Sequence, residues 1–295
     1  MAGHESSPRL AVLVAFRKTR SLFRADGSIS TQAVHRHRCR TLLLVVSASI
    51  ALTGCGRSGP DGGIDSYVPP TDPREVRLGA HTLLAQEEGA GASPAVTAPI
   101  ATEIAGSSLI AFNAGYAAND EPPTDNRHNA WTPIGAPAVY AGYNGRFDVK
   151  GYVSLHARGG DAHTVGVVKN GKARGELTLP FVEIRNAGKL QDIAQTYAPA
   201  ARWQTSGRVT TTGPAMLVAF WWGDGASLRH RARPDDGFAV IENFVDLPPG
   251  SAVQCVVAVR QVEAAGTYQV TWSVSPAQGG PLWLLAFQRD EEVAR

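Results

Sequence analysis

Beyond Ile100, apolar and polar residues alternate with period two through most of the chain, the pattern of strands with one buried face. Tyr268, Val270, Trp272 and Val274 face one way, and Thr267, Gln269, Thr271 and Ser273 the other. Val253, Cys255, Val257 and Val259 alternate with Gln254, Val256 and Ala258, and Val149, Gly151, Val153 and Leu155 with Lys150, Tyr152 and Ser154. Two runs, 216–222 and 282–287, are apolar at every position, as strands are when both faces are covered. Turn chemistry separates the runs: Asp125-Asn126, Arg158-Gly159-Gly160-Asp161, Asn170-Gly171, Gly223-Asp224-Gly225, Pro248-Pro249-Gly250 and Gln278-Gly279-Gly280. This spacing predicts about nine to eleven strands between residues 100 and 288. One helix is a candidate, over 187–197, where Leu190, Ile193, Ala194 and Tyr197 share a helical face. The expected fold is all-β: a two-sheet antiparallel sandwich over 100–290, jelly-roll-like, with at most one short helix.

Ahead of the sandwich the pattern fades. Residues 55–99 are rich in Gly, Pro, Ala and Ser, beginning Cys55-Gly56-Arg57-Ser58-Gly59-Pro60. Such a stretch cannot bury enough apolar surface to offset its ordering entropy, and it is expected to be a flexible stalk. Residues 74–86 are the exception, because Val76, Leu78, Leu83 and Leu84 suit a first strand pair that joins the sandwich. Further upstream, the basic block His35-Arg36-His37-Arg38-Cys39-Arg40 runs into the uncharged stretch 42–52. That stretch is shorter than the roughly 20 residues a spanning helix needs. Basic block plus short apolar run predicts a signal peptide over 34–54. Residues 1–33 show no periodicity and are read as an extension ahead of a leader that starts at Val34.

Composition sharpens the picture in two respects. The formal charge is +2, with 28 basic and 26 acidic residues. Residues 1–54 hold eight of the bases and two of the acids, leaving 20 bases against 24 acids, a balance of −4, from residue 55 onward. Polyphosphate partners select basic faces, so the charge argues against nucleic acid. The three cysteines fall in three regions, Cys39, Cys55 and Cys255, which excludes a disulfide-stapled scaffold. Cys255, on the apolar face of its strand, is expected to be a buried reduced thiol.

Leu52-Thr53-Gly54-Cys55, placed directly behind the apolar run, resembles the lipobox of bacterial lipoproteins. The resemblance implies cleavage before Cys55, diacylglycerol and palmitate on its thiol and amine, and stable anchoring in a bilayer. Gly56 stands where inner-membrane lipoproteins often carry Asp, which implies delivery to the outer membrane. Pro122-Pro123-Thr124-Asp125-Asn126 resembles a turn in β-sandwich modules of bacterial surface and phage-tail proteins.

Candidate chemistry is sparse. His156, Asp161 and His163 flank one expected hairpin. Matching its apolar faces sets Leu155 opposite Val165 and His156 opposite Thr164, so the two imidazoles are not expected to share a site. Trp221 and Trp222, before Gly223-Asp224-Gly225, are candidates for a sugar-binding platform, of which only one can face a ligand, although their apolar run favours a core. Tyr140 and Tyr143 are weaker candidates of the same kind. Asp235-Asp236-Gly237 suits a Ca²⁺ turn only weakly. No nucleophile elbow, zinc-protease helix or phosphate-cradling loop is present, so neither a catalytic set nor a metal or other cofactor is assigned. The expected function is a membrane-anchored envelope lipoprotein presenting a binding or structural module, with the bilayer, a glycan or an envelope protein as partner. The alternative is an envelope polysaccharide hydrolase or lyase using carboxylates on the sandwich face, since such pairs leave no sequence spacing.

Overall fold

A computed structural model of the chain describes residues 66–116, 121–139, 147–169, 173–225, 229–235, 237–247 and 252–290. The leader and Cys55 lie outside the described residues. Within them the regular elements are all β-strands. The first half of the sandwich runs β1 (Arg77–Gln86), β2 (Ala95–Val96), β3 (Ile100–Thr102), β4 (Ser107–Tyr116), β5 (Thr124–Asp125), β6 (Thr132–Val139), β7 (Phe147–Ala157), β8 (Gly160–His163), β9 (Val165–Val167) and β10 (Leu177–Arg185). The second half runs β11 (Lys189–Thr205), β12 (Val209–Thr211), β13 (Ala215–Trp221), β14 (Arg231–Pro234), β15 (Ala239–Phe244), β16 (Cys255–Val262), β17 (Gly266–Tyr268) and β18 (Thr271–Gln288).

Two antiparallel sheets make the sandwich, ordered β1-β10-β4-β7-β6 and β11-β18-β13-β16-β15. The chain completes the first sheet before it begins the second. Period-two alternation explains the inner core directly. Ile110, Phe112, Val149, Val153, Val182 and Ile184 of the first sheet meet Met216, Val218, Phe220, Val257, Trp283 and Leu285 of the second. Phe112 is the clamp, its ring centroid 4.4 Å from that of Phe220, 4.9 Å from Trp222 and 5.1 Å from Trp283. Gly151 makes room for it, since a Cβ there would sit 2.5 Å from Phe112 Cε1.

The two fully apolar runs are buried on both sides. Met216, Val218, Phe220 and Trp222 point into the inner core, and Leu217, Ala219 and Trp221 into a second cluster behind the sheet. In β18, Trp283, Leu285 and Phe287 face inward while Leu282, Leu284 and Ala286 face that same second cluster. A third cluster lies outside the first sheet, where Leu109, Leu179 and Phe181 meet Ala95, Val165 and Val167 of the small strands β2 and β9. Cys255 is fully buried in the inner core and free of any disulfide, and burial pushes its thiol well above the ordinary range.

Several expectations are corrected. Residues 187–197 are not helical, because β11 pairs along β18. A bulge between Leu190 and Asp192 sets both Leu190 and Ile193 against the inner core, opposite Phe287 and Leu285. One extra residue in a strand turns an alternating pattern into a spacing of three, which mimics a helical face. Gln278-Gly279-Gly280 is not a turn but lies inside β18, where Gly280 lets the backbone of Trp222 pass against it. Residues 74–86, expected to join the sandwich, do so through β1, and parts of the stretch on either side also make contacts. Tyr67 leans on the inner core and its hydroxyl accepts a hydrogen bond from the Leu78 amide at 3.2 Å. β1 pairs with β10, and β2 with β9.

The two open edges of the sandwich are pinned by side chains. His81 Nδ1 lies 2.8 Å from Glu242 Oε1, joining β1 to β15. On the other side, Gln195 of β11 accepts from the Ala136 amide at 2.9 Å and donates to its carbonyl at 2.7 Å, which ties in β6. Such cross-links cover strand edges that would otherwise template further pairing.

Candidate functional site

Trp221 and Trp222 are core, not platform. Both are fully buried, because β13 has packed layers on either side. Each indole also finds an interior acceptor, as buried tryptophans generally do: Trp221 Nε1 donates to Gln204 Oε1 at 2.7 Å and Trp222 Nε1 to Thr178 Oγ1 at 3.2 Å. Tyr140 and Tyr143 lie outside the described residues, as does Asp236 of the acidic turn. Among the described residues no group of three or more His, Cys, Asp or Glu is placed to hold a metal.

The histidines are apart, though not for the reason the expected hairpin supplies. β7 pairs with β4 and β6, whereas β8 pairs with β3 and sets His163 opposite Ile100. β9 pairs with β2 and β5. Segments 95–96 and 100–102 supply the partners that the expected register assigned to β7. His156 is exposed, 3.6 Å from Asp290. His163 is fully buried with Nδ1 2.9 Å from Thr102 Oγ1, its ring edge-on to Phe181 at 5.1 Å. Its Nε2 lies 3.5 Å from Asp125 Oδ1, a long electrostatic contact rather than a strong hydrogen bond.

Asp125 explains the Pro122-Pro123-Thr124-Asp125-Asn126 turn. Its Oδ2 accepts from Trp131 Nε1 at 2.7 Å, and Oδ1 accepts from the Arg127 amide at 2.7 Å and the Asn129 amide at 3.3 Å. Burial pushes its carboxyl up, but His163, Trp131 and the two amides together outweigh burial and hold it below its ordinary value. Thr102, His163 and Asp125 follow the hydroxyl–imidazole–carboxylate order of a nucleophilic relay. With His163 sealed and Thr102 Oγ1 also accepting the Gly160 amide at 3.1 Å, the trio instead locks β3, β5 and β8 onto the sandwich. Glu183 is likewise buried, its carboxylate accepting from the amides of Ala80 and Glu103 and the Ser107 hydroxyl.

The exposed aromatic is one the sequence reading missed. Trp203, near the end of β11, keeps 63% of its surface exposed. Its orientation follows from its neighbour. Gln204 points inward, receiving Trp221 Nε1 and donating to the Gln278 carbonyl. Gln278 in turn joins Gln254, His230 and the Gly225 amide in a buried amide network. With Gln204 held inside, strand alternation turns Trp203 out.

Register defines what surrounds it. Trp203 pairs with Ser273 of β18, and Ser273 pairs on its other side with Arg233 of β14. Directly paired residues share a face, so Trp203, Ser273 and Arg233 form one row across three strands. Thr205 and Thr271 form the next row, their hydroxyls 3.0 Å apart. Arg231 and Ser275 flank the other side. A second aromatic on the same strand, Tyr197, is 37% exposed and donates its hydroxyl to Asp224 Oδ2 at 2.9 Å. The residues flanking Trp203, Arg202 and Gln204, gave no sequence signal of this exposure, since Trp272 lies between Thr271 and Ser273 and is fully buried. No family model, no curated protein and no solved structure matches the chain.

Proposed function

We propose that this chain is a lipid-anchored protein of the bacterial cell envelope whose β-sandwich presents a glycan-binding surface. Cys55 carries the lipid, and the outer membrane is the bilayer that holds it. The observation that carries the binding reading is the solvent-facing indole of Trp203 on a strand whose inward partners are held by a buried network. Monomeric domains leave large aromatics exposed sparingly, and a rigid ring beside hydroxyl groups suits the apolar face of a sugar. Two measurements test the proposal. Metabolic labelling with an alkyne fatty acid should mark the wild-type protein and not Cys55→Ser. On a glycan array, the full-length protein should retain envelope polysaccharides and Trp203→Ala should not. Equal labelling of both proteins would remove the anchor, and equal retention would remove Trp203 from the site.

A further inference from the structure

We infer that Asn113 and Lys150 of the first sheet join in an intramolecular amide bond, formed with Asp148 as proton carrier. The site stands apart from Trp203 and adds a covalent modification to the proposed function. Asn113 of β4 and Lys150 of β7 are direct partners in the antiparallel ladder. Such partners share a face with their Cβ atoms about 4.5–5.5 Å apart, well within reach of a lysine side chain. Asp148, two residues before Lys150 on the same strand, shares that face, and its Oδ2 lies 3.1 Å from Lys150 Nζ. The side chains of Lys150 and Asp148 are only 10% and 14% exposed. Asn113 is 8% exposed, and its carboxamide makes no hydrogen bond among the described residues. Buried carboxamides are normally paired, so one left open opposite an amine and a carboxylate calls for a chemical reading.

The next row of the same face is apolar. Ala111 pairs with Tyr152 on one side and Phe181 on the other, all three in the outer cluster. Surroundings of low polarity penalise an ammonium–carboxylate pair relative to the neutral amine and acid. Asp148 takes one proton from the ammonium, which leaves Nζ a nucleophile. Nζ attacks Cγ of Asn113, the Nζ–Cγ bond forms, and Asp148 gives its proton to Nδ2 as the Cγ–Nδ2 bond breaks. The regenerated carboxylate takes the second Nζ proton and passes it to the departing ammonia. An ammonium and a primary carboxamide thus become a secondary amide and an ammonium ion, with Asp148 unchanged and no oxidant consumed. The fixed register supplies the effective concentration that the same reaction lacks in water. The bond ties β4 to β7 and constrains the unfolded chain as a disulfide does, in a protein whose described cysteine, Cys255, forms none.

The test digests the purified full-length protein with trypsin under denaturing conditions and reads the peptides by mass spectrometry. A branched peptide should join the segment holding Asn113 to the one holding Lys150, with no cleavage after Lys150. It should be lighter than its two linear parts together by one ammonia. Lys150→Arg and Asn113→Ala should each abolish it. Asn113→Asp should retain it with one water lost instead, because a carboxylic acid at that position yields the same amide. Asp148→Asn, which cannot carry the proton, should slow its appearance after refolding about a hundredfold or more. Circular dichroism shows which variants fold, and the close isosteres Lys150→Arg and Asn113→Asp decide the outcome if Asn113→Ala does not. Only linear peptides from the folded wild type, cleaved after Lys150, would overturn the inference. Loss of ammonia at Asn113 without a branched peptide would overturn it equally, in favour of cyclisation on the asparagine's own backbone. An unchanged rate in Asp148→Asn would remove Asp148 from the reaction. None of these results bears on retention of glycans through Trp203, which the array measures separately.

Discussion

Two tryptophans carry opposite fates. Trp222 is sealed against Phe112 and stacks parallel to Phe220 at 5.6 Å, whereas Trp203 stands in solvent. Trp222→Ala should therefore cost about 3–5 kcal/mol, and Trp203→Ala should fall within about 0.5 kcal/mol of wild type. Urea unfolding midpoints of the two variants check the contrast. Asp125 makes a different residue-scale statement. Its carboxyl is held below the ordinary 3.8 in the fold, so folding favours the ionised form. That contribution is complete above the unfolded value and is lost as pH falls through the lower folded value. Stability of the wild type should accordingly fall more steeply below about pH 4 than that of Asp125→Asn. Urea midpoints at pH 6 and at pH 3 measure the difference. Parallel curves would mean that Asp125 titrates alike in both states.

Among elements, β1 shows how a single absent side chain decides packing. Its register shifts between Leu78 and His81, and at that irregularity the Ala80 amide donates to Glu183 Oε2 at 2.9 Å. Glu183 also holds the Glu103 amide and the Ser107 hydroxyl, each at 2.7 Å, so it cannot swing aside. A Cβ on Gly79 would land in that carboxylate. Gly79→Ala should destabilise the protein by about 1–3 kcal/mol. Gly213, where an added Cβ would stand 3.7 Å from the nearest side chain, Gln288, should tolerate alanine within about 0.5 kcal/mol. Differential scanning calorimetry of the two variants compares them directly. Strand β11 carries the same lesson in another form. A bulge at its start imitates helical spacing, and irregular pairing beyond Ala198 carries Trp203 to the three-strand face.

Over the whole molecule, three apolar clusters are stacked through two large sheets and their smaller coverings. Extra layers outside a sandwich explain why so many strands are apolar on both faces, and why the only strongly exposed tryptophan among the described residues is conspicuous. The inner core joins strands from the two halves of the chain, so neither half buries its apolar face alone. The proposed function uses the outer surface of one corner, where β14, β18 and β11 run side by side.

Period-two alternation was enough to determine the all-β class, because a strand's two faces are written into consecutive residues. The doubly apolar runs 216–222 and 282–287 equally announced strands covered on both sides, and the position of Cys255 among alternating valines announced its burial. Pairing was beyond the sequence. Which strand lies beside which depends on contacts between distant segments, so the hairpin drawn from His156 to His163 gave way to β3–β8 and β2–β9 pairing. The site was hidden for the same reason. Arg231, Arg233, Ser273 and Trp203 come from three separate stretches and become neighbours only through register. Local patterns report which way a residue faces along its own strand; only the tertiary ladder decides what stands next to it.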